Sequence, residues 1–387
     1  MSILLVEKDG QGLQAAVMHR GKLYACRSES GGSLREGQVY SAVVDRVLKG
    51  VSAVFVRLPD KQFGFLPLSA GEKTPASGQR LIVQIKRPPT QTKKALLSTD
   101  IALAGDALVY LPRGSGVHVS SRIENAEEKA ALRALGSLLD CSGGGVILRS
   151  AAAGCDLQAL KQELDVLRAR WQSILAVQES APRLLWEGEN MLTTLLREER
   201  SRLEYILTNA PGCLPAALPC PVRTCDHPFL LHTVQHRLER SLRRTVQLKS
   251  GATLVIDPCE AMTVIDVNSA QAAVGKSIAE TAEKINAEAA WEIARLLRLR
   301  GIGGMIVVDF IDMASEAAKE RLLAVMREAL SEDPEKTTMH DLTALGLMEL
   351  TRHRAQTPLS PLPDAPCPRC GGSGIDLQPV EEDSRDA

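Results

Sequence analysis

The chain has 387 residues, of which 46 are Lys or Arg and 47 are Asp or Glu, so its formal net charge is -1. It is 44% hydrophobic and only 3% aromatic, a composition that excludes a wholly disordered chain and allows several domains with cores of their own. No apolar run reaches the ~18 residues that a membrane-spanning helix needs, and the N-terminus lacks the features of a signal peptide. The nine cysteines are mostly scattered singly, which indicates a reducing cytoplasm.

Turn signals and side-chain periodicity predict a strand-rich beginning, followed by mixed helices and strands. Asp9-Gly10 and Arg20-Gly21 are turn signals between short alternating strands. Gly37 opens a second strand-rich segment that suits a small barrel. The predicted strands cover residues 2–6, 13–17, 22–24, 38–44, 52–58, 63–66, 79–86, 146–149, 253–257, 262–267 and 305–310. The predicted helices cover residues 126–139, 156–179, 187–207, 229–248, 277–300 and 315–331, and the Pro- and Cys-rich stretch 211–228 is predicted to be a loop.

Two carboxylates stand at the ends of predicted strands in the α/β region of the chain. Asp266 and Asn268 end one strand and Asp309 ends another, each after apolar β-branched residues. Ligands bind at the carboxyl ends of strands in α/β sheets. Hard oxygen ligands suit Mg²⁺, which can activate water and stabilise the charge of a phosphodiester transition state. The alternative interpretation is that these aspartates only cap turns or helices.

A cysteine pair near the C-terminus has the spacing of metal ligands. Cys367 and Cys370 are separated by two residues and followed by glycines, which is half of a tetrahedral zinc site. The second half has no close candidate, because the spacing of Cys220 and Cys225 is loose. Two chains could close the site across a dimer. A redox dithiol and no metal at all are the alternatives, and the glycine run argues against the dithiol.

The scarce aromatic residues are concentrated in the predicted barrel. Three of the five phenylalanines, Phe55, Phe63 and Phe65, fall on two of its predicted strands. Aromatic side chains exposed on such a sheet stack on bases, each contributing ~1–3 kcal/mol. The alternative is that at least one of them belongs to the barrel core.

A basic and a hydroxyl residue follow the predicted strand after the glycine run 143–145. Arg149 and Ser150 stand at the end of that strand, where a guanidinium and a hydroxyl can clamp a phosphate. The pair alone does not identify its ligand.

Four long strings together resemble the ribonuclease E/G family of bacterial endonucleases that cut single-stranded RNA. They cover residues 260–269, 293–300, 303–313 and 345–352, and the resemblance extends from about Met1 to Gly374. It implies an α/β multidomain chain, with an RNase H-like fold interrupted by an S1-type OB barrel and a 5′-sensor region, then a DNase I-like catalytic domain and a zinc link. The implied segments are 1–36 (first RNase H-like segment), 37–99 (OB-fold RNA-binding domain), 100–189 (5′-sensor region), 190–247 (second RNase H-like segment), 248–357 (DNase I-like catalytic domain), 358–375 (zinc link) and 376–387 (acidic tail).

The resemblance also implies roles for individual residues. Asp266 and Asp309 correspond to the family's Mg²⁺ ligands, with Asn268 as the supporting catalytic amide. Cys367 and Cys370 correspond to the zinc link, in which each subunit of a dimer gives two thiolates to one Zn²⁺. The implied RNA-contacting residues are Phe55, Phe65, Lys93 and Lys336, and the implied 5′-phosphate sensor comprises Gly105, Val109, Arg149 and Ser150.

These resemblances predict a Mg²⁺-dependent endoribonuclease of the bacterial cytoplasm. It would process and degrade ribosomal and messenger RNA, favour 5′-monophosphorylated RNA and leave 5′-phosphate ends. The expected partners are single-stranded RNA and a second copy of the chain. We expect no integral membrane segment, no small C-terminal domain and no degradosome scaffold tail, since the chain ends soon after the zinc link. One alternative is a paralogue that binds RNA without cutting it, which the retained Asp266, Asn268 and Asp309 argue against; another is a zinc-linked structural dimer.

Overall fold

A computed structural model of the chain describes residues 2–10, 12–29, 34–48, 50–69, 73–89, 93–121, 123, 125–177, 181–215, 218–269, 277–313, 315–343 and 345–353. These residues divide into two compact units. The first contains those within 1–21 and 26–229, and the second contains those within 22–25 and from 230 onward. Among the described residues, no helix combines the length and the apolar character needed to cross a membrane.

The strands, in chain order, are β1 (Ser2–Asp9), β2 (Gly12–His19), β3 (Lys22–Glu29), β4 (Val39–Leu48), β5 (Ala53–Arg57), β6 (Phe63–Pro67), β7 (Arg80–Arg87), β8 (Ala95–Ser98), β9 (Leu103–Ala104), β10 (Leu108–Leu111), β11 (Val117–Val119), β12 (Gly145–Leu148), β13 (Arg183–Trp186), β14 (Leu203–Thr208), β15 (Val222–Thr224), β16 (Thr245–Gln247), β17 (Thr253–Pro258), β18 (Met262–Asn268), β19 (Gly304–Asp309), β20 (Thr337–Leu342) and β21 (Leu347–Arg352). The α-helices are α1 (Ala126–Gly136), α2 (Leu157–Leu175), α3 (Met191–Glu199), α4 (Pro228–Leu231), α5 (Val234–Leu242), α6 (Ile278–Arg300) and α7 (Glu316–Ser331).

The chain begins with a mixed sheet, here called the terminal sheet, in which β15, β14, β1, β2 and β3 lie side by side in that order. β1 pairs antiparallel with β2 and parallel with β14, which comes from far along the chain. Leu4, Leu5 and Val6 are fully buried, as expected for a strand whose two faces are both covered. The pairing of β1 with β14 therefore completes this sheet across the long intervening segment.

A closed barrel follows, because β4 pairs with β5 on one side and with β7 on the other, and β6 and β8 complete the ring. Alternate residues such as Val54, Val56 and Leu66 fill its interior. The barrel of five strands is compatible with an S1/OB-type domain. Strand β13 adds to the barrel sheet beside β4.

The first unit also contains a four-stranded sheet, the small sheet, in which β11, β12, β10 and β9 lie in that order. Helix α2 buries an apolar stripe that includes Leu160, Leu164 and Leu167. These side chains share a core with Leu108 and Val146 of the small sheet. The amphipathic pattern of α2 is therefore the packing surface that supports this sheet.

The second unit is built on the long sheet, with strand order β16, β17, β18, β19, β21 and β20. β18 and β19 are parallel, and the other pairs are antiparallel. Ile265 and Val308 from the sheet share a core with Ile293 of α6 and Met326 of α7. Because successive strand residues point to opposite faces, the residues next to Ile265 and Val308 lie on the face away from these helices.

Buried charges attach residues 22–25 to helix α6. Glu292 accepts hydrogen bonds from Arg295 Nη2 at 2.5 Å and from Lys22 Nζ at 2.6 Å, and these cations hold the pKa of its carboxyl below the ordinary value despite burial. Arg295 Nη1 donates to the carbonyl oxygen of Leu23 at 2.5 Å. The buried charges of Glu292 and Arg295 are therefore paired, as buried charges must be.

Three predictions of secondary structure are partly wrong. The helix predicted over 187–207 ends at Glu199, and its second half is β14. The loop predicted over 211–228 contains the short strand β15. The helix predicted over 229–248 is divided at Thr233, which has a left-handed φ of 50°, and it ends before β16. The physical reason is the same for β14, β15 and β16: each pairs with a strand that local periodicity does not reveal.

The end of β21 is held by a buried ion pair that generates a stability prediction. Arg352 Nε lies 2.7 Å from Asp333 Oδ2, and the side chains are 4% and 2% exposed. Asp333→Ala should lower the free energy of unfolding of the second unit by ~3–5 kcal/mol, because the Arg352 charge stays buried without its counter-ion. Chemical denaturation followed by circular dichroism measures this.

The matched control is Asp341→Ala, which removes an exposed carboxylate 4.0 Å from Arg327. Exposed pairs contribute little to stability, so this variant should unfold close to the wild-type midpoint. Equal destabilisation by Asp333→Ala and Asp341→Ala would contradict the stabilising role of the buried Asp333–Arg352 ion pair.

Candidate functional site

Two aspartates end neighbouring parallel strands of the long sheet. Asp266 on β18 and Asp309 on β19 are direct register partners, and backbones of adjacent strands lie only about 4.8 Å apart. Asp266 is half-buried and Asp309 is exposed. Their neighbours Ile265 and Val308 are fully buried, so strand alternation directs both carboxylates to the face opposite the helices. The structure therefore brings together the two predicted metal ligands.

The predicted supporting amide lies beside one of these carboxylates. Asn268 follows Asp266 by two residues on β18 and so shares its face, and its Nδ2 donates to Asp266 Oδ2 at 2.6 Å. This hydrogen bond restricts the rotation of the Asp266 carboxylate. The other oxygen of the Asp266 carboxylate and the carboxylate of Asp309 remain as possible metal ligands on the same face.

The donor set at this edge of the sheet fits Mg²⁺. Within the described ranges, no three His, Cys, Asp or Glu side chains converge as metal ligands, so the set is a carboxylate pair with one amide. Mg²⁺ prefers hard oxygen donors, keeps several waters and is usually bound through one or two carboxylates. Typical Zn²⁺ sites include Cys or His ligands, which this set lacks. The chemistry of the pair therefore suits a hydrated Mg²⁺.

A buried amide that is not predicted from the sequence holds the segment after Asp309. Asn286 is fully buried on α6. Its Nδ2 donates to the carbonyl oxygen of Ile311 at 2.7 Å, and its Oδ1 accepts from the Ile311 backbone N–H at 3.1 Å. The only sequence signal is one amide in an apolar helical run. Asn286 thus fixes the backbone that leaves β19 directly after the carboxylate.

Lys336 is exposed and is not brought to the aspartate pair. It precedes Thr337, which pairs with Arg352, and Arg352 pairs with Gly304 at the beginning of β19. Asp309 is at the end of β19, so Lys336 lies toward the opposite edge, roughly 16 Å away along the strand direction. Its role in RNA contact stays a prediction that does not involve the carboxylates.

The predicted aromatic pair lies on the outer surface of the barrel. Phe55 on β5 and Phe65 on β6 are register partners, with ring centroids 5.9 Å apart and ring planes at 64°. Both rings are half-buried, as is Phe63 two residues before Phe65. All three alternate with the interior residues, so the barrel core is not their location. The alternative that one of them fills the core is wrong.

Cations accompany these rings. The guanidinium of Arg46 lies 5.6 Å from the centroid of Phe55, and Lys94 Nζ lies 5.4 Å from that of Phe63. The predicted contact residue Lys93 is exposed and precedes Lys94 directly. Aromatic faces beside cations can stack on bases while the charges approach the phosphates.

The four predicted sensor residues lie together at one end of the small sheet. Arg149 follows β12, and its Nη1 donates to the carbonyl oxygen of Gly105 at 2.7 Å. Val109 on β10 pairs with Ile147, two residues before Arg149. Ser150 is exposed and begins a short 3-10 turn directly after Arg149. The Arg149 guanidinium and the Ser150 hydroxyl therefore lie at the same end of the small sheet, and the guanidinium contacts the backbone of Gly105.

Gly105 lies against the carboxyl end of the Glu163 side chain. A Cβ at this position would collide with Oε1 of Glu163. The Glu163 carboxylate accepts the backbone N–H of Ala107 at 3.1 and 3.2 Å through its two oxygens. Burial raises the pKa of the Glu163 carboxyl. The loop that meets Arg149 is therefore positioned by a partly buried acid on α2.

Two further charged residues meet at Arg149, and neither is predicted from the sequence. Glu189 Oε1 accepts from Arg149 Nη1 at 3.2 Å and also from Arg197 Nη1. The side chains of Arg149, Arg197 and Glu189 are 24%, 23% and 18% exposed. No local signal marks them, because Glu189 and Arg197 belong to a segment rich in charged residues. Their convergence depends on tertiary structure.

The predicted zinc ligands Cys367 and Cys370 lie outside the described residues. The zinc link stays a prediction.

The chain matches the model of a family described as the ribonuclease E/G family over residues 102–216 and 221–355. It is 35% identical to a ribonuclease E of Nostoc sp. over 90% of this chain and 56% of the relative. It is 34% identical to the ribonuclease E of Escherichia coli over 94% of this chain and 38% of the relative.

The chain thus spans about half the length, or less, of these two relatives. It is also 33% identical to the ribonuclease G of Escherichia coli, over 87% of this chain and 76% of the relative. The family model covers more than half of the chain, and these identities extend over most of it. The chain therefore belongs to the ribonuclease E/G family.

Proposed function

We propose that this chain is a Mg²⁺-dependent endoribonuclease that cuts single-stranded RNA in the processing and decay of ribosomal and messenger RNA. The observation that carries the proposal is the register of Asp266 and Asp309, which aligns two carboxylates on one face of the long sheet. The names of the ribonuclease E and G relatives support the same class of reaction.

Asp266 and Asp309 would hold the ion, and Asn268 would keep the Asp266 carboxylate oriented through its 2.6 Å hydrogen bond. A bound Mg²⁺ lowers the pKa of a coordinated water and stabilises negative charge on the scissile phosphate. Asn286 keeps the backbone beyond Asp309 in place through two hydrogen bonds to Ile311. We infer that hydrolysis leaves a 5′-phosphate on the downstream product.

The barrel would bind the RNA strand. Phe55 and Phe65 present aromatic surface on the outside of the barrel, and Arg46, Lys93 and Lys94 supply positive charge around them. Stacking on aromatic side chains tolerates any base, because every base has a π-face. This arrangement favours single-stranded RNA, whose bases are free to stack.

Arg149 and Ser150 would receive the 5′ end of the substrate. A guanidinium recognises phosphate through charge-assisted hydrogen bonds, and the hydroxyl of Ser150 adds a donor next to it. We therefore propose a preference for 5′-monophosphorylated RNA over RNA with a 5′-hydroxyl. Gly105 and Val109 would form the adjoining wall.

Cys367 and Cys370 are proposed to join two chains through zinc. Four thiolates complete a tetrahedral structural site, and one chain supplies only two at this spacing. A homodimer with one shared Zn²⁺ satisfies that coordination.

Removing one carboxylate tests the catalytic assignment. Asp309→Asn should lower the rate of RNA cleavage by more than ~100-fold, since changes to groups that only orient a metal ligand already cost about 10- to 100-fold. The measurement is the initial cleavage rate of an unstructured 5′-monophosphorylated RNA in Mg²⁺.

Asp341→Asn serves as the control, because it removes the same charge at an exposed position of β20. Full activity of Asp309→Asn would refute the assignment. A wild-type chain that binds this RNA without cutting it would favour the non-catalytic paralogue.

Truncating one aromatic ring tests the RNA-binding surface. Phe65→Ala should weaken binding of a short unstructured RNA by about 5- to 100-fold, the equivalent of ~1–3 kcal/mol of lost stacking. Fluorescence anisotropy at one fixed salt concentration, with EDTA present to prevent cleavage, gives the dissociation constants. Leu138→Ala, at an apolar side chain that is 59% exposed outside the barrel, is the control. Equal affinities of the wild type and Phe65→Ala would argue against the barrel as the RNA-binding surface.

Metal content and mass test the zinc link together. The wild type should be a dimer with one zinc ion per two chains, and Cys367→Ser should lose both the zinc and the dimer, because the remaining thiolates cannot complete the site. Plasma emission spectrometry and light scattering measure the two quantities. Cys259→Ser, at an exposed cysteine, is the matched control. A full zinc equivalent in a monomer would contradict the shared site.

A further inference from the structure

One carboxylate oxygen at the end of the small sheet is shared by two arginines. Glu189 Oε1 accepts from Arg149 Nη1 at 3.2 Å and from Arg197 Nη1. The three side chains come from different places: Arg149 follows β12, Glu189 lies between β13 and α3, and Arg197 is on α3. Each is less than one-quarter exposed. The contact is thus a tertiary arrangement rather than a pair within one helix.

This arrangement resembles the surroundings of a bound phosphate. Arginine guanidinium groups recognise phosphate through charge-assisted hydrogen bonds to its oxygens. The Glu189 carboxylate occupies the position of the anion. A terminal phosphomonoester carries about -1.5 to -2 charges at neutral pH, more than the single charge of the Glu189 carboxylate. The phosphate should therefore be attracted more strongly than a single carboxylate.

We propose that Arg197 is a second guanidinium of the 5′-monophosphate site, and that Glu189 is an internal anion which the phosphate displaces. This inference rests on the proposed 5′-end preference and extends it. A 5′-hydroxyl end has no charge with which to displace Glu189. Glu189 would then stay bound to the two arginines. The preference for a 5′-monophosphate over a 5′-hydroxyl would arise from the competition between the phosphate and Glu189, as well as from Arg149 and Ser150.

The backbone around the cluster supports a defined position for the incoming group. Arg149 is held by its hydrogen bond to the Gly105 carbonyl oxygen at 2.7 Å, and its backbone N–H donates to the carbonyl oxygen of Ala107 at 2.8 Å. Asn190, directly after Glu189, caps α3 by accepting the Thr193 N–H at 2.8 Å. Movement of the Glu189 side chain alone would thus open the site without unfolding either element.

The experiment compares kcat/KM for the same RNA with a 5′-monophosphate and with a 5′-hydroxyl, using the full chain. The ratio of the two values is the readout, because a loss of folded enzyme lowers both and leaves the ratio unchanged. Glu189→Gln should raise the ratio several-fold, since the competing charge is gone while the size is kept. Arg197→Gln should lower it by about tenfold, the loss expected for one charge-assisted hydrogen bond, and Arg197→Lys should restore some of it.

Glu187→Gln is the matched control, because Glu187 is 70% exposed and contacts Arg35 instead; its ratio should equal that of the wild type. A lowered ratio in Glu189→Gln would overturn the inference by making Glu189 a positioning residue for Arg149. An unchanged ratio in Arg197→Gln would overturn the role of Arg197. A wild-type ratio of one would instead defeat the proposed 5′-end preference itself, and this inference with it.

Discussion

The candidate active site depends on the register between two parallel strands. β18 and β19 pair so that Asp266 meets Asp309. A slip of one residue would turn Ile265 or Val308, both fully buried, toward water and bring a carboxylate into the apolar core. Packing against α6 and α7 therefore determines that the two carboxylates share one level and one face. The position of the two proposed metal ligands is thus set by the packing of an apolar core.

The elements of the fold that are predictable from sequence are those whose signals are local. β18 and β19 contain apolar β-branched residues that lead into a carboxylate, and the turns of the barrel are marked by glycine and proline. β14 is different, because its residues continue the charged pattern of α3 and form a strand only beside β1. The interruption of the predicted helix at Thr233 is also not predictable, since a threonine with a left-handed backbone conformation has no sequence signature. Tertiary pairing decides these elements and local propensity does not.

The residues of the candidate site also divide into those that have a local sequence signal and those that do not. Asp266, Asn268 and Asp309 are recognisable because each ends or follows an apolar strand, and Phe55 and Phe65 because aromatic residues are scarce. Glu189 is not, because a single acid in a polar segment has many ordinary explanations until the fold places it between two arginines. The end of the small sheet thus contains an electrostatic arrangement that depends on the fold and has no local sequence signal.

The central claim is that Asp266 and Asp309 together hold one divalent cation. Anomalous diffraction from crystals of the full chain grown with Mn²⁺ in place of Mg²⁺ tests it most directly. We predict one peak at this edge of the long sheet, with an oxygen of each carboxylate at about 2.1 Å, the distance typical of Mg²⁺ sites. A peak bound by only one of the two aspartates, or the absence of a peak between them at saturating Mn²⁺, would contradict the claim.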